Sequence, residues 1–86
     1  MSYIVELRPA ALRDLKRLPK DAFDRLNRKI TSLADDARPP GVEKLAGSED
    51  CYRVRVGDYR ILYTIRDDDS LITVARVRHR REVYRR

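Results

Sequence analysis

The clearest pattern in the chain is a pair of alternating apolar and polar runs between Cys51 and Arg66, reading CYRVRVGDYRILYTIR. Side chains of a β-strand point alternately to opposite faces, so each run predicts a strand with one apolar face. The break at Gly57-Asp58 predicts a Gly-first two-residue turn and therefore a hairpin. One face of this hairpin is aromatic-rich, and the other carries Arg53, Arg55 and Arg60.

Two other stretches have apolar residues at helical spacing. Residues 10–18 place leucines three apart, and residues 20–37 place apolar residues at spacings of three and four. These stripes predict two amphipathic helices. Pro19 separates them, which predicts a helical hairpin that lays both stripes on one face of a sheet.

The remaining apolar runs predict two more strands. Residues 2–7 form a short β-rich run, and residues 71–77 form the last strand, with Ile72 and Val74 on one face and Ala75 and Val77 on the other. Residues 42–50 are expected to be a loop. We therefore predict a single α+β domain over residues 1–86, in the order β-α-α-β-β-β. It has a mostly antiparallel four-stranded sheet with the two-helix hairpin packed on one face.

Charge is distributed unevenly along the chain. The formal net charge is +6, and residues 1–50 hold ten Lys/Arg against nine Asp/Glu, whereas residues 51–86 hold ten against five. The basic excess thus lies in the C-terminal strands and tail, which favours a polyanionic partner.

The cysteine and histidine counts and the hydropathy of the chain exclude several classes of protein. The single cysteine, Cys51, excludes an internal disulfide, and one histidine with scattered carboxylates predicts no metal site and no cofactor. No stretch resembles a signal peptide or a membrane span, so we expect a cytoplasmic protein with no membrane partner.

Four segments together resemble one known family. They are L-x-x-L-x-x-L-P at Leu12 to Pro19, K-L-A-G at Lys44 to Gly47, Y-R-V-R-V-G-D-Y-R-I-L-Y at Tyr52 to Tyr63, and H-R-R-E-V-Y-R at His79 to Arg85. In this order they are similar to the RelE/ParE superfamily of toxins from type II toxin–antitoxin systems, and the RelE branch is favoured.

The resemblance implies a function. A RelE-like toxin is a ribosome-dependent, metal-independent endoribonuclease that cuts mRNA in the ribosomal A site and stops translation. A cognate antitoxin neutralises it, and the pair binds operator DNA through the antitoxin. Two alternatives stay open: a ParE-like inhibitor of DNA gyrase, and a non-catalytic basic component of a DNA-bound repressor complex.

The same resemblance implies that Arg53, Arg55, Arg60, Tyr84 and either Arg78 or Arg80 form the site, and the chemistry of RNA cleavage adds His79. Guanidinium groups held by strands can stabilise the negative charge that develops on a phosphorane, whereas arginine is a poor proton carrier. We therefore expect arginines to bind the scissile phosphate, and a histidine or tyrosine to move protons or stack on a base. The predicted catalytic residues are Arg55, Arg60, Arg80, His79 and Tyr84, with Arg78 as the alternative to Arg80. The predicted RNA-binding residues are Arg53, Arg78, Arg81 and Lys44.

Overall fold

The computed structural model of the chain describes residues 2–47 and 50–83, with side chains as far as residue 81. Within these residues the strands and α-helices are, in order, β1 (Ile4–Leu7), α1 (Pro9–Lys16), α2 (Lys20–Ser32), β2 (Glu43–Lys44), β3 (Cys51–Val56), β4 (Tyr59–Arg66), β5 (Leu71–His79) and the one-turn helix α3 (Arg80–Val83). A 3₁₀ turn (Asp67–Asp69) joins β4 to β5. None of the helices formed by the described residues has the length and apolar character needed to cross a bilayer.

The strands form one mixed sheet in the order β1-β5-β4-β3-β2. Neighbouring strands are antiparallel except β1, which runs parallel to β5. The α+β class is confirmed, and the six predicted elements follow one another in the predicted order, but the prediction of four strands is wrong. Glu43 and Lys44, expected in a loop, pair with Arg53 and Tyr52 as a fifth strand. Two residues are too few to show an alternating pattern in a sequence.

The two helices cover one face of the sheet, as their stripes predict. Leu15 of α1 and Leu26 and Ile30 of α2 are buried against the apolar face of the strands. Helix α2 ends at Ser32 rather than at residue 37, because the backbone beyond it forms turns closed by hydrogen bonds between residues three apart. These turns bring the Ala37 carbonyl to Tyr63, whose hydroxyl donates a hydrogen bond of 2.8 Å to it. Burial raises the pKa of Tyr63 to about 12.

A bulge in β5 reverses the predicted alternation of its second half. Leu62 of β4 pairs with Arg76, but the next residue pairs with Val74, so Ala75 is the extra residue. Val74 and Val77 are therefore both buried towards the helices, at 0% and 4% exposed. The prediction that Val77 lies on the face opposite Val74 is wrong, because strict alternation fails across a bulge.

The carboxylate of Asp14 fixes α1 to the bulged part of β5. It accepts hydrogen bonds from Arg76 Nε at 2.8 Å, from Arg76 Nη2 at 3.1 Å and from the Val77 backbone N–H at 2.9 Å. Burial raises the pKa of Asp14, but the hydrogen bonds from Arg76 and Val77 outweigh it, so the pKa lies below its usual value.

Replacing Asp14 with Asn is expected to lower the free energy of unfolding at pH 7 by about 1–2 kcal/mol, because charge-assisted hydrogen bonds are weakened. Since the folded-state pKa is lowered, the carboxylate stabilises the fold above the unfolded-state pKa, and this contribution is lost as pH falls through the folded-state pKa. Urea unfolding of both proteins at pH 7 and in acid tests this: the difference between them should close in acid.

The matched control for that substitution is Asp36→Asn, because the Asp36 side chain is exposed. Its effect at pH 7 should stay within about 0.5 kcal/mol. A stability difference between the wild-type protein and the Asp14 variant that persists unchanged in acid would contradict the role given to the carboxylate.

Candidate functional site

The β3–β4 hairpin arranges arginines in a row across the sheet. Its turn is Gly57-Asp58, with Gly57 at a φ of +59°, which a glycine adopts without strain. This Gly-first turn fixes the register in which Arg55 lies opposite Arg60, and β5 then places Arg78 opposite Arg60. Cross-strand partners share a face of the sheet, so three guanidinium-bearing residues lie side by side on three strands.

A small hollow opens at the tip of this hairpin, beside the end of β5. Its volume is about 80 Å³. We call it the arginine hollow, and it is lined by Arg55, Gly57, Asp58, Tyr59, Arg60 and Arg80. Arg60 is buried, at 8% exposed, whereas the side chains of Arg55 and Arg80 are exposed. Three cationic groups thus surround one cavity whose size suits a single small anionic group.

Asp58 connects the hairpin tip to the end of β5. Its backbone carbonyl accepts a hydrogen bond of 2.6 Å from the Arg80 N–H, and its carboxylate lies 3.9 Å from Arg80 Nη1. The first contact holds the start of α3 against the turn. Since both side chains are largely exposed, the second is a weak surface ion pair that an incoming anion can replace.

A second hollow, of about 260 Å³, adjoins the first and shares Arg55 and Arg60 with it. Its wall includes Arg53, whose Nε donates a hydrogen bond of 2.9 Å to Glu43 on β2. The charge of Arg53 is therefore partly balanced by Glu43. Lys44 is exposed on the same short strand and does not line either hollow.

Tyr59 and His79 form an aromatic pair next to the arginine hollow. The two residues are cross-strand partners, and their ring centroids lie 5.1 Å apart at 89°. The His79 Nδ1 accepts a hydrogen bond of 3.2 Å from the Arg81 N–H, which places the ring hydrogen of a neutral imidazole on Nε2. Tyr59 packs against the core, where the sequence pattern puts it, and it also lines the hollow.

The predicted site residues thus fall into distinct positions. Arg55, Arg60 and Arg80 are brought together in the arginine hollow. Arg78 is half-buried on β5 beside Arg60, and Arg81 is exposed on α3. Of the two C-terminal arginines that the sequence left as alternatives, the one that lines the hollow is Arg80. The predicted residue Tyr84 lies outside the described residues, so its role stays a prediction.

Three lining residues were not predicted as part of a site: Gly57, Asp58 and Tyr59. The first two could have been predicted from the turn, because the tip of the β3–β4 hairpin must lie close to the end of the strand that pairs with β4. The role of Tyr59 could not be predicted, because the alternating pattern is the same whether the hydroxyl of such a tyrosine is buried in the core or exposed in a cavity.

Comparison with known proteins gives consistent matches over nearly the whole chain. A family model for the ParE toxin of the type II toxin–antitoxin system parDE matches residues 5–84. Toxin RelG of Mycobacterium tuberculosis is 34% identical over 94 residues, covering 100% of both chains. The mRNA interferase toxin RelE of Escherichia coli is 28% identical over 88 residues, covering 98% of this chain and 92% of that protein.

A solved structure shares the fold. It is the archaeal RelE–RelB complex from Pyrococcus horikoshii, with a TM-score of 0.83 and 30% sequence identity. The match covers 93% of this chain and 97% of that chain.

Proposed function

The chain belongs to the ParE toxin family of type II toxin–antitoxin systems, and from that premise we propose that it is a RelE-type toxin that cleaves mRNA on the ribosome. The observation that carries the proposal is the arginine hollow, in which Arg55, Arg60 and Arg80 surround one small cavity. A relative named as an mRNA interferase toxin supports the same reaction class.

The proposed reaction needs charge stabilisation and two proton transfers. The 2′ oxygen of a ribose attacks the adjacent phosphorus, a base takes the 2′ proton, the bond from phosphorus to the 5′ oxygen breaks, and an acid protonates that oxygen. The products are a 2′,3′-cyclic phosphate and a 5′-hydroxyl. Negative charge grows on the non-bridging oxygens, where fixed guanidinium groups stabilise the transition state more than the ground state.

Residue roles follow from these requirements. In the proposal, buried Arg60 and exposed Arg80 bind the non-bridging oxygens from two sides, and Arg55 binds the phosphate from the neighbouring strand. Arginine keeps its proton at any physiological pH, so proton transfer falls to His79 and Tyr84. Arg53, Arg78, Arg81 and Lys44 extend the basic surface along which the RNA backbone lies.

An antitoxin is the proposed protein partner. The Pyrococcus horikoshii relative was solved as a RelE–RelB complex. A hollow with three cationic side chains would be neutralised by an acidic or amphipathic segment that excludes RNA from it. Through this partner the toxin would reach operator DNA.

We expect the purified toxin to cut a defined mRNA in the presence of programmed ribosomes and to leave 5′-hydroxyl ends. Toxin that has been treated with EDTA and then freed of the chelator should cut equally well when it is added to ribosomes in their Mg²⁺ buffer. Primer extension on the recovered mRNA measures the cuts. The same reaction with the antitoxin added should give none.

Cells provide the test against the two alternatives. Pulse labelling should show that protein synthesis stops before DNA synthesis. Arrest of DNA synthesis first, with intact mRNA, would favour a gyrase inhibitor. Tight binding of RNA without cut ends would favour a non-catalytic basic protein.

A further inference from the structure

Helix α2 extends one arginine over the turn of the β3–β4 hairpin. A Cβ built on Gly57 would lie 3.0 Å from Arg25 Nη1 and 3.8 Å from Arg25 Cζ. The guanidinium of Arg25 therefore lies directly against the backbone of the turn. It fits there because Gly57 has no side chain, and any larger residue would press on it.

The Arg25 side chain is exposed and makes no ion pair or hydrogen bond with any other described residue. This is notable because Asp21 precedes it by four residues on the same helix, a spacing that allows an ion pair. The neighbouring Asp24 pairs instead with Lys20, at 3.4 Å. Arg25 thus has no direct ion-pair partner among the described residues, although Asp21 and Asp24 line a surface hollow together with it.

The turn that Arg25 covers is also a wall of the arginine hollow, because Gly57 lines that cavity. Cationic side chains therefore lie on both sides of the Gly57-Asp58 turn. Arg55, Arg60 and Arg80 lie on the side of the hollow, and Arg25 lies on the side of α2. A single-stranded nucleic acid carries a phosphate at every nucleotide, so a strand with one phosphodiester in the hollow can place a neighbouring phosphate at the turn on one side, while the other side of the strand follows the remaining basic residues.

We infer that Arg25 binds the RNA phosphate next to the scissile one, as a second phosphate subsite on the α2 side of the Gly57-Asp58 turn. The inference rests on the proposed function for its substrate, single-stranded RNA. Arg25 is a binding residue in this assignment: it holds the strand in register, and it does not touch the phosphorus that reacts.

The test is the salt dependence of RNA binding. Arg25→Gln and Arg28→Gln remove the same charge from exposed positions of one helix, and only Arg25 reaches Gly57. The probe is a short single-stranded RNA with 2′-deoxy substitution at the cleavage position, so that binding is measured without cleavage. Circular dichroism verifies that both variants are folded.

We expect Arg25→Gln to weaken binding about five- to tenfold near 0.1 M salt, the size of one exposed charge-assisted contact. The slope of log K against log salt should fall in magnitude by about 0.7, the value for one phosphate of a single strand. Arg28→Gln should change the slope by much less. In the cleavage assay Arg25→Gln should raise KM and leave kcat unchanged.

Equal slopes for the two variants would overturn the inference, because the effect would then be one of net charge alone. An unchanged slope for Arg25→Gln, or a fall in kcat at constant KM, would overturn it as well. Failure of the proposed function looks different: the wild-type protein would then cut no mRNA, while the comparison of the two variants on the uncleavable RNA would still decide the role of Arg25.

Discussion

Replacing Arg80 with alanine is expected to lower the rate of mRNA cleavage by about 10²–10³-fold and to abolish growth inhibition, while the protein stays folded. The loss is that of one preorganised donor to the charge that develops in the transition state. The Arg80 side chain is 62% exposed, so its removal leaves no cavity in the core. The backbone hydrogen bond from Arg80 to Asp58 is kept in the variant. Single-turnover cleavage on programmed ribosomes measures the effect.

The control for Arg80→Ala is Arg66→Ala. Arg66 is equally exposed, at 62%, and its Nη2 lies 3.7 Å from an Asp69 carboxylate at the far end of β4. The substitution removes the same charge at a distance from the hollow, so cleavage should change by less than about threefold. A folded Arg80→Ala protein that cuts mRNA at the wild-type rate would remove Arg80 from the site.

Arg60→Met provides the parallel test on the buried side of the hollow. Methionine retains the apolar stem that packs at this position, where Arg60 is 8% exposed. The rate should fall by a similar factor to that for Arg80→Ala. If both substitutions leave the rate of cleavage unchanged, phosphate stabilisation by the hollow is the wrong mechanism.

Truncating Leu26 to alanine is expected to lower the free energy of unfolding by about 2–5 kcal/mol. Leu26 is 0% exposed and belongs to the cluster between α2 and the sheet, so the substitution leaves a cavity that the neighbouring side chains cannot fill. Leu12→Ala is the matched control, because the same atoms are removed from a residue that is 41% exposed. It should lower the free energy of unfolding by less than about 1 kcal/mol.

Urea unfolding followed by circular dichroism distinguishes the two leucine variants. Similar losses from both would mean that the stripes of α1 and α2 do not pack as described. A loss near zero for Leu26→Ala would place α2 away from the sheet and would remove the support on which Arg25 reaches the hairpin turn.

The parts of the fold that follow from a simple period could be predicted from the sequence. The β3–β4 hairpin and both helices have regular spacings, and the Gly-first turn needs only one residue with positive φ. The second half of β5 could not be predicted in the same way. The bulge at Ala75 depends on how β5 pairs with β4. Nothing in the local pattern L-I-T-V-A-R-V shows which residue will lack a partner on the neighbouring strand.

The candidate site was likewise predictable in part, where its residues follow from a regular spacing. Arg55 and Arg60 follow from the hairpin alone, since alternation and a two-residue turn fix them as partners. The position of Arg80 depends on a long-range contact, the hydrogen bond from its N–H to Asp58. The ion pair between Arg53 and Glu43 likewise depends on a strand too short to recognise. Arg25 looks like one of many exposed cations on a helix, and only the packing of α2 against the turn distinguishes it.

The parallel pairing of β1 with β5 has a consequence for biosynthesis. Ile4 is paired with Leu71, so the earliest strand to leave the ribosome waits for the last strand of the sheet before it has a partner. Contacts between such distant positions form late and slowly. Arg80 directly follows β5, so the arginine hollow is assembled only when that strand docks. If the hollow is the site of the proposed reaction, a chain whose β5 has not yet docked would lack that site, and the interval before docking would be the time in which a partner could bind first.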